Sequence, residues 1–213
     1  MVRLQNELLL RFCRSNRQHV NTAYYKYFKR SFDIVLAVAF LIGLSWFLLI
    51  LAILYIVTFQ LPIIFKQSRI GKNGIPFVMY KFRTLSTEDT APLEKRRFGL
   101  GNFLRLTNMD ELPQLLNVLK GEMSVIGPRP MPLEYEQLFS NEQKNRHSVR
   151  PGITGSAQVY GKNNTPWAQK FNYDLDYVKQ ITFLGDVKIL MKTITLVLSM
   201  KQDVSLSEEK FKG

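Results

Sequence analysis

The feature that most constrains this chain is an apolar segment at residues 34–59 that contains no charged side chain. As a straight helix it would measure about 39 Å at 1.5 Å per residue, whereas the hydrocarbon core of a bilayer is about 30 Å thick. The segment begins well inside the chain and is too long for the apolar core of a cleavable signal peptide. We therefore expect a permanently membrane-inserted helix.

The charge on either side of this segment bears on how it lies in a membrane. The chain has a net charge of +12, with basic side chains before the segment at Arg11, Arg14, Arg17, Lys26, Lys29 and Arg30 and after it at Lys66, Arg69, Lys72, Lys81 and Arg83. Because Lys and Arg mark the cytoplasmic side of a membrane segment, both flanks indicate that side. A helix that enters and leaves through one leaflet satisfies both flanks, and a break at residues 43–46 would leave neither arm long enough to cross. A straight span is the alternative.

The rest of the chain predicts a helix-rich α+β fold. We expect a basic lead at residues 1–27 (an amphipathic surface helix or a disordered segment), the membrane-inserted helix at 28–61, a folded domain at 62–200 and a tail at 201–213. A short β-hairpin is predicted around the Gly-Lys-Asn-Gly turn at residues 71–74, and helices at 133–147, 165–182 and 183–200. The single cysteine, Cys13, excludes an intrachain disulfide and a zinc site of the usual kind.

The stretch LTNMDELPQLLNVLKG at residues 106–121 puts two adjacent carboxylates, Asp110 and Glu111, at the start of a predicted amphipathic helix. Its leucines recur at i, i+3, i+4 and i+7, Pro113 confines the helix start to residues 107–111, and Gly121 suits its end. Acidic residues favour the first helical turn because of the helix dipole, so an ordinary N-terminal cap is one interpretation. The other is a pair that carries out chemistry.

Basic residues near this pair favour the second interpretation. Arg105 precedes the pair, Arg129 lies in a proline-rich loop and Arg150 precedes a Pro-Gly step. Guanidinium groups hold phosphate oxygens, and ionised carboxylates serve phosphoryl chemistry as nucleophiles or as Mg²⁺ ligands. Each arginine alone is equally consistent with a surface charge. Lys81 and Arg83 are either phosphate ligands or the basic tip of a strand.

Two further carboxylate patterns carry predictions. A carboxylate at a membrane edge is costly unless it is paired, so we expect Asp33 to pair with Arg30, three residues earlier on the same helical face. Asp174, Asp176 and Tyr177 are interpreted as one exposed face of a helix.

Five motifs occur in a fixed order and together resemble a known family. They read KRSFD, FKQSRIG, YKFRTL, MDELPQLLNVLKGEMSVIGPRP and VRPGITGSAQVYG. The chain resembles the bacterial sugar transferases, the monotopic phosphoglycosyl transferases that begin lipid-linked glycan assembly, over residues 28–200. The resemblance implies an enzyme that moves a sugar-1-phosphate from a UDP-sugar to polyprenyl (undecaprenyl) phosphate and releases UMP. It also implies that residues 62–200 form a catalytic domain on the cytoplasmic face of the bacterial inner membrane.

The resemblance assigns roles to residues of this sequence. Asp110 is the implied nucleophile of a covalent aspartyl-phosphosugar intermediate, and Asp110 with Glu111 would hold Mg²⁺. The implied phosphate or nucleotide contacts are Arg105, Arg129, Arg150, Lys81 and Arg83, and the implied membrane-anchoring residues are Lys29, Arg30, Asp33 and Ser45. The membrane helix of the family is re-entrant and is commonly broken at a Ser-Pro pair, whereas this chain has Ser45 followed by Trp46.

Several properties stay open at this point. The sugar, the polyprenol length and the glycan pathway have no signature in the sequence. Expected partners are anionic membrane lipids and downstream glycosyltransferases, and an apolar surface near the membrane would face either lipid or a second copy in a homodimer. A membrane tether argues against a nucleic-acid partner. The alternative function is a non-catalytic membrane adaptor that binds polyprenyl phosphate or partner glycosyltransferases.

Overall fold

The computed structural model describes residues 22–58, 60–87, 95–161, 165–199 and 211. The helices are α1 (Lys29–Gly43), α2 (Ser45–Val57), α3 (Gly99–Leu106), α4 (Gln114–Lys120), α5 (Asn141–Lys144), α6 (Ser156–Tyr160), α7 (Trp167–Lys179) and α8 (Phe183–Leu198), and the strands are β1 (Ile64–Ile70), β2 (Pro76–Phe82), β3 (Ser124–Ile126) and β4 (Gly152–Thr154). The helix-rich α+β class is confirmed. The predicted lead helix falls mainly on residues 1–21, outside the described part of the chain.

The apolar segment forms two helices that meet at a break. A π-helical turn at Tyr24–Phe28 leads into α1, and α2 follows after Leu44 at a bend of 59°. In the described residues, no single helix has the length and apolarity to cross a membrane, although this bent pair together meets both criteria. The Ser45 hydroxyl donates to the carbonyl of Ile42 at 2.8 Å. The break therefore forms at the predicted place without a proline.

The two strand pairs position the loops that carry the candidate site. The predicted hairpin is confirmed, since β1 and β2 pair antiparallel with Ile64 opposite Phe82. Its turn contains Asn73 at φ 57° and Gly74 at φ 75°, a conformation that these two residue types tolerate best. Strand β3 pairs with β4 in parallel. The N–H of Gly152 donates to the carbonyl of Pro128 at 2.9 Å, so the loop at residues 127–130 lies beside the Arg150 segment.

The helix that follows the two carboxylates starts later than predicted. Met109–Glu111 is a 3₁₀ turn, and α4 begins only at Gln114 with Pro113 as its N-cap. The preceding residue, Asn108, has φ 54° and ends α3. The carbonyl of Asn108 accepts from the N–H of Glu111. The carboxylates therefore lie in a tight turn between two helices. A helix of seven residues supplies little of the dipole effect expected for a cap.

Two other sequence predictions are wrong in detail. Residues 133–147 form a 3₁₀ turn at Leu133–Gln137, helix α5 and a second 3₁₀ turn, because Ser140 starts a new helix through a capping box with Gln143. The expected exposed face of α7 is largely buried. Asp174 and Tyr177 are 2% and 9% exposed, and only Asp176 faces solvent.

Buried charges join α1 to the rest of the domain. Lys29 donates to Asp186 of α8 at 2.8 Å and lies 3.6 Å from Asp33, and Asp186 also accepts from the hydroxyls of Tyr24 and Tyr177, each at 2.9 Å. The predicted pairing of Arg30 with Asp33 is wrong: Arg30 instead donates to the last carbonyls of α4. The side chain one helical turn away from Asp33 is Lys29, and it points into the domain.

Candidate active site

The adjacent carboxylates Asp110 and Glu111 lie at a partly covered surface of the domain. Their side chains are 11% and 12% exposed, and they occupy the 3₁₀ turn between α3 and α4. A small cleft beside Glu111 is lined by residues of β1, β2, α4, the loop at 127–130 and β4. Residues of the hairpin, of α4, of the loop at 127–130 and of β4 therefore converge on this carboxylate.

Lys81 of β2 lies between the two carboxylates. Its Nζ donates to Glu111 Oε1 at 2.6 Å and lies 3.8 Å from Asp110 Oδ2. The Lys81 side chain is 18% exposed, so the interaction is only weakly screened by water. One cation thus offsets the charge of two adjacent carboxylates while its shortest contact falls on Glu111. The sequence left Lys81 ambiguous, and the structure brings it to the pair.

Glu111 is held in its ionised form. Burial acts to raise the pKa of Glu111, but the positive charges of Lys81 and Arg129, the hydrogen bond from Lys81 and the charge of Arg69 outweigh burial. The pKa of Glu111 therefore lies below its ordinary value. The pair accordingly has an anionic member at neutral pH whose charge is balanced by fixed cations.

Arg129 faces the same carboxylate from the proline-rich loop. Its Nη1 lies 3.7 Å from Glu111 Oε1, and its side chain is 36% exposed. The Arg129 carbonyl accepts from Arg146 at 2.9 Å, and Arg146 is buried in an ion pair with Asp174. A buried ion pair thus fixes the backbone of a loop whose arginine side chain stays open to a ligand.

Arg69 of β1 also lines the cleft, and the sequence analysis did not include it among the site residues. Burial, with the neighbouring charge of Arg129, lowers the pKa of Arg69 to about 10, so its guanidinium is still protonated at neutral pH. It donates to the carbonyl of Pro130 at 3.4 Å and to Gln67 at 2.6 Å, and its Nε is buried. The only signal in the sequence was its position within FKQSRIG.

Three of the five predicted basic contacts are not among the residues that line the cleft beside Glu111. Arg105 donates to the hydroxyl of Thr84, at the end of β2, at 2.6 Å. Arg83 is buried and donates to the carbonyls of Pro62 and Leu85, so it fastens the connection after α2. Arg150 donates to the carbonyl of Gly121 and lines a different cavity, next to α1.

Three of the four predicted anchoring residues, Lys29, Arg30 and Asp33, make contacts with the domain. Lys29 and Asp33 are buried, at 4% and 2% exposed, and Arg30 is bonded to α4. Ser45 lies at the break between α1 and α2 and is exposed. The contacts of Lys29, Asp33 and Arg30 fix the position of α1 relative to the domain.

The donor set at the carboxylate pair fits Mg²⁺. Among the described residues, no cluster of three or more His, Cys, Asp or Glu side chains is arranged to hold a metal ion. Asp110 and Glu111 offer oxygen donors alone, and Mg²⁺ typically binds one or two carboxylates together with water and substrate phosphates. Zinc sites usually include His or Cys ligands, and among the described residues no His or Cys lines the cleft beside Glu111.

Comparison with known proteins identifies the family. The family model of the bacterial sugar transferases matches residues 24–200. The uncharacterized sugar transferase EpsL of Bacillus subtilis (strain 168) is 40% identical over 193 residues, which cover 87% of this chain and 96% of EpsL. The exopolysaccharide production protein PSS of Rhizobium leguminosarum bv. phaseoli is 37% identical over 80% of this chain and 95% of its own length.

A third relative has a named reaction. The UDP-glucose:undecaprenyl-phosphate glucose-1-phosphate transferase of Xanthomonas campestris pv. campestris is 38% identical over 79% of this chain, and the match covers 38% of that longer protein. The match to the family model extends from the turn before α1 to the end of α8, so it includes the carboxylate pair and the residues around it. This chain belongs to the bacterial sugar transferase family of enzymes.

Proposed function

We propose that this protein transfers a sugar-1-phosphate from a UDP-sugar to polyprenyl (undecaprenyl) phosphate and releases UMP, through a covalent intermediate on Asp110. The observation that carries the proposal is the partly covered Asp110–Glu111 pair with Lys81 between its members and Arg129 at its edge. Membership of the family and the reaction named for the Xanthomonas relative support the same chemistry.

In the first half-reaction a carboxylate oxygen of Asp110 attacks the β-phosphorus of the UDP-sugar. A bond forms between that oxygen and phosphorus, and the bond from the β-phosphorus to the bridging oxygen breaks, so that UMP leaves with the electron pair. Glu111 and Lys81 hold the turn and balance its charge, and Arg129 and Arg69 are positioned to hold the non-bridging oxygens. Fixed cations around a migrating phosphoryl group stabilise its transition state.

In the second half-reaction a phosphate oxygen of the polyprenyl phosphate attacks the same phosphorus. The bond between phosphorus and Asp110 breaks, the carboxylate is regenerated, and the product is a polyprenyl diphosphate sugar. The two half-reactions share one phosphorus position, so the same arginines serve both. Such a cycle predicts ping-pong kinetics.

Asp110 and Glu111 are the residues that would hold Mg²⁺. The ion when bound would offset the diphosphate charge and favour departure of UMP. In this proposal Glu111 interacts with both Lys81 and the metal ion, because its Oε1 already accepts a hydrogen bond from Lys81. Lys81 keeps Glu111 ionised, which is the form that binds a cation.

The acceptor is a lipid, so we propose a membrane setting for the bent helix pair. Large apolar side chains stay exposed along α1 and α2, including Val35, Ile42, Trp46, Leu49 and Ile56. Continuous exposed apolar surface is typical of a membrane-contacting site. We propose that the pair enters and leaves the cytoplasmic leaflet of the bacterial inner membrane, with the domain on anionic lipid headgroups and near downstream glycosyltransferases.

A donor panel tests the proposed function. We expect the purified full-length protein in detergent, with Mg²⁺ and undecaprenyl phosphate, to release UMP from at least one UDP-sugar, and the variant Asp110→Asn to release none. Equal turnover by the variant would rule out Asp110 as the nucleophile. Absence of UMP with every donor, combined with retained binding of polyprenyl phosphate, would favour the membrane adaptor.

A further inference from the structure

Phe211 occupies an aromatic pocket in the domain. Phe211 is 8% exposed, and its ring lies 5.0 Å from the ring centre of Phe171, 5.6 Å from Phe139, 5.7 Å from Tyr135 and 5.9 Å from Trp167. Its backbone N–H donates to the hydroxyl of Tyr135 at 3.3 Å. Four rings and a hydrogen bond therefore hold one residue of the tail.

The pocket includes residues of the two chain segments that carry Arg69 and Arg129. Phe211, the four rings above, Ile70 and Met131 form one packed cluster, which we call the aromatic layer. Ile70 follows Arg69 in β1, and Met131 lies two residues after Arg129. The N–H of Ile70 donates to the carbonyl of Met131 at 2.9 Å, so the two arginine-bearing segments join on top of this layer.

Arg146 connects the layer to the Arg129 loop by a second route. Its guanidinium lies 5.8 Å from the ring centre of Phe139 and 5.4 Å from that of Phe171. The same group donates to the carbonyl of Arg129 and is paired with Asp174. A shift of the two rings would therefore move the guanidinium that holds the loop.

We propose that Phe211 is a positioning residue: by filling the aromatic layer it holds Arg69 and Arg129 in place for the phosphates of the substrate. Without its ring, a cavity opens between four aromatic side chains that lose contacts on one side and shift to refill it. The strand end and the loop above then lose a fixed support. The residue itself touches no reacting atom, and its effect passes through the two arginines. The inference rests on the proposed function for its kinetic readout only.

Docking of the tail is tested by fluorescence, independently of catalysis. The chain has two tryptophans, Trp46 and Trp167, so the full-length variant Trp46→Phe leaves Trp167 as the single reporter beside Phe211. In that background Phe211→Ala should red-shift the Trp167 emission, and Phe211→Leu should shift it less. An unchanged spectrum with alanine would overturn the docking of Phe211.

Positioning is tested by kinetics and by anion binding, at a temperature well below the melting midpoint of each variant. We expect Phe211→Ala to lower kcat for UMP release by about tenfold, less than the roughly hundredfold that a 1 Å misplacement can cost. Phe211→Leu should show a smaller decrease in kcat than Phe211→Ala. The control Phe183→Ala removes a ring that contacts Tyr24 and Phe32, outside the aromatic layer, and should leave kcat within twofold of wild type, about the scatter of such measurements.

Addition of the tail in trans provides a rescue that general destabilisation would not allow. A chain truncated after Leu206 should lose activity as Phe211→Ala does, and the peptide SEEKFKG should restore it in a concentration-dependent manner, whereas SEEKAKG should not. A truncated chain with wild-type kcat would overturn the proposal. So would a kcat unchanged by Phe211→Ala despite a shifted Trp167 spectrum.

Binding of inorganic pyrophosphate separates this inference from the proposed function. If wild-type protein releases no UMP from any donor, the transfer reaction fails, but pyrophosphate titration still reports on the two arginines. Weaker pyrophosphate binding by Phe211→Ala than by wild type supports positioning. Equal binding would overturn it.

Discussion

Replacing Lys81 by methionine removes the cation that lies between the two carboxylates while keeping most of its apolar length. Glu111 then remains at 12% exposure without its 2.6 Å hydrogen bond, and Arg129, at 3.7 Å, is the nearest remaining charge to which it is paired. Removing one partner of a buried ion pair costs about 3–5 kcal/mol of unfolding free energy. The lower end, about 3 kcal/mol, is expected because Arg129 stays in place.

The pH dependence of this variant carries the sharper test. In the wild type the pKa of Glu111 is lowered, so its stabilisation is fully present above the unfolded pKa and is lost as pH falls through the folded pKa. In Lys81→Met the positive charge that lowers the pKa of Glu111 most is removed, while burial still acts to raise this pKa. We therefore expect the pKa of Glu111 to rise above its ordinary value. Stability should then fall as pH rises from the unfolded pKa through the folded one.

The assay is denaturant unfolding of the full-length protein in detergent across the pH range 4–7. The matched control is the double variant Lys81→Met/Glu111→Gln, which removes the orphaned charge and should recover most of the lost stability near neutral pH. A loss below about 1 kcal/mol, the range of exposed pairs, together with a pH profile like that of the wild type would refute the assignment of Lys81 and Glu111 as a buried ion pair.

Three further outcomes follow from the same geometry. Arg69→Gln should lower kcat/KM for the UDP-sugar by about tenfold to a hundredfold, the value of a charge-assisted hydrogen bond, whereas a fall below threefold in steady-state assays would remove Arg69 from the site. Asn117→Ala leaves two backbone groups of β2 without their partner and should cost about 3 kcal/mol in denaturant titrations; a loss within 0.5 kcal/mol, about the effect of a surface change, would contradict this. In a Cys13→Ser background, cysteines at Asn21 and Asn73 should both label from the cytoplasmic side, and opposite labelling would exclude re-entry.

Local patterns predicted most of the secondary structure. The hairpin, α7 and α8 follow from residue periodicity and from a turn with Asn and Gly, and these features depend on neighbours in sequence. The sequence left open whether the apolar segment is broken or straight; the basic flanks favoured a break, and the structure has one after Gly43. The start of α4 was wrong because Asn108 adopts a left-handed conformation that ends α3 and forces a 3₁₀ turn.

Ion pairs and contacts between residues far apart in the sequence could not be predicted from local patterns. Lys29 has two carboxylates within reach, and the nearer is Asp186, 157 residues away. The sequence pattern favoured Arg30 as the partner of Asp33 because nothing in it showed which of the two basic residues lies against Asp33. The sequence pattern suggested that Asp174 is a surface carboxylate, whereas in the structure it is buried in an ion pair with Arg146. Arg69 joins the site only because β1 lies beside the Arg129 loop, with an isolated bridge between Arg69 and Pro132.

The central claim is that Asp110 forms a covalent bond to the phosphosugar, and mass spectrometry of the intact protein and of its proteolytic peptides tests it most directly. The full-length protein is mixed with Mg²⁺ and its UDP-sugar donor without acceptor. The account predicts a mass increase of one sugar phosphate on a peptide containing Asp110, an equal amount of UMP, and loss of the adduct when polyprenyl phosphate is added. Release of UMP only in the presence of the acceptor, with no adduct at any time, would contradict it, as would the same adduct in Asp110→Asn.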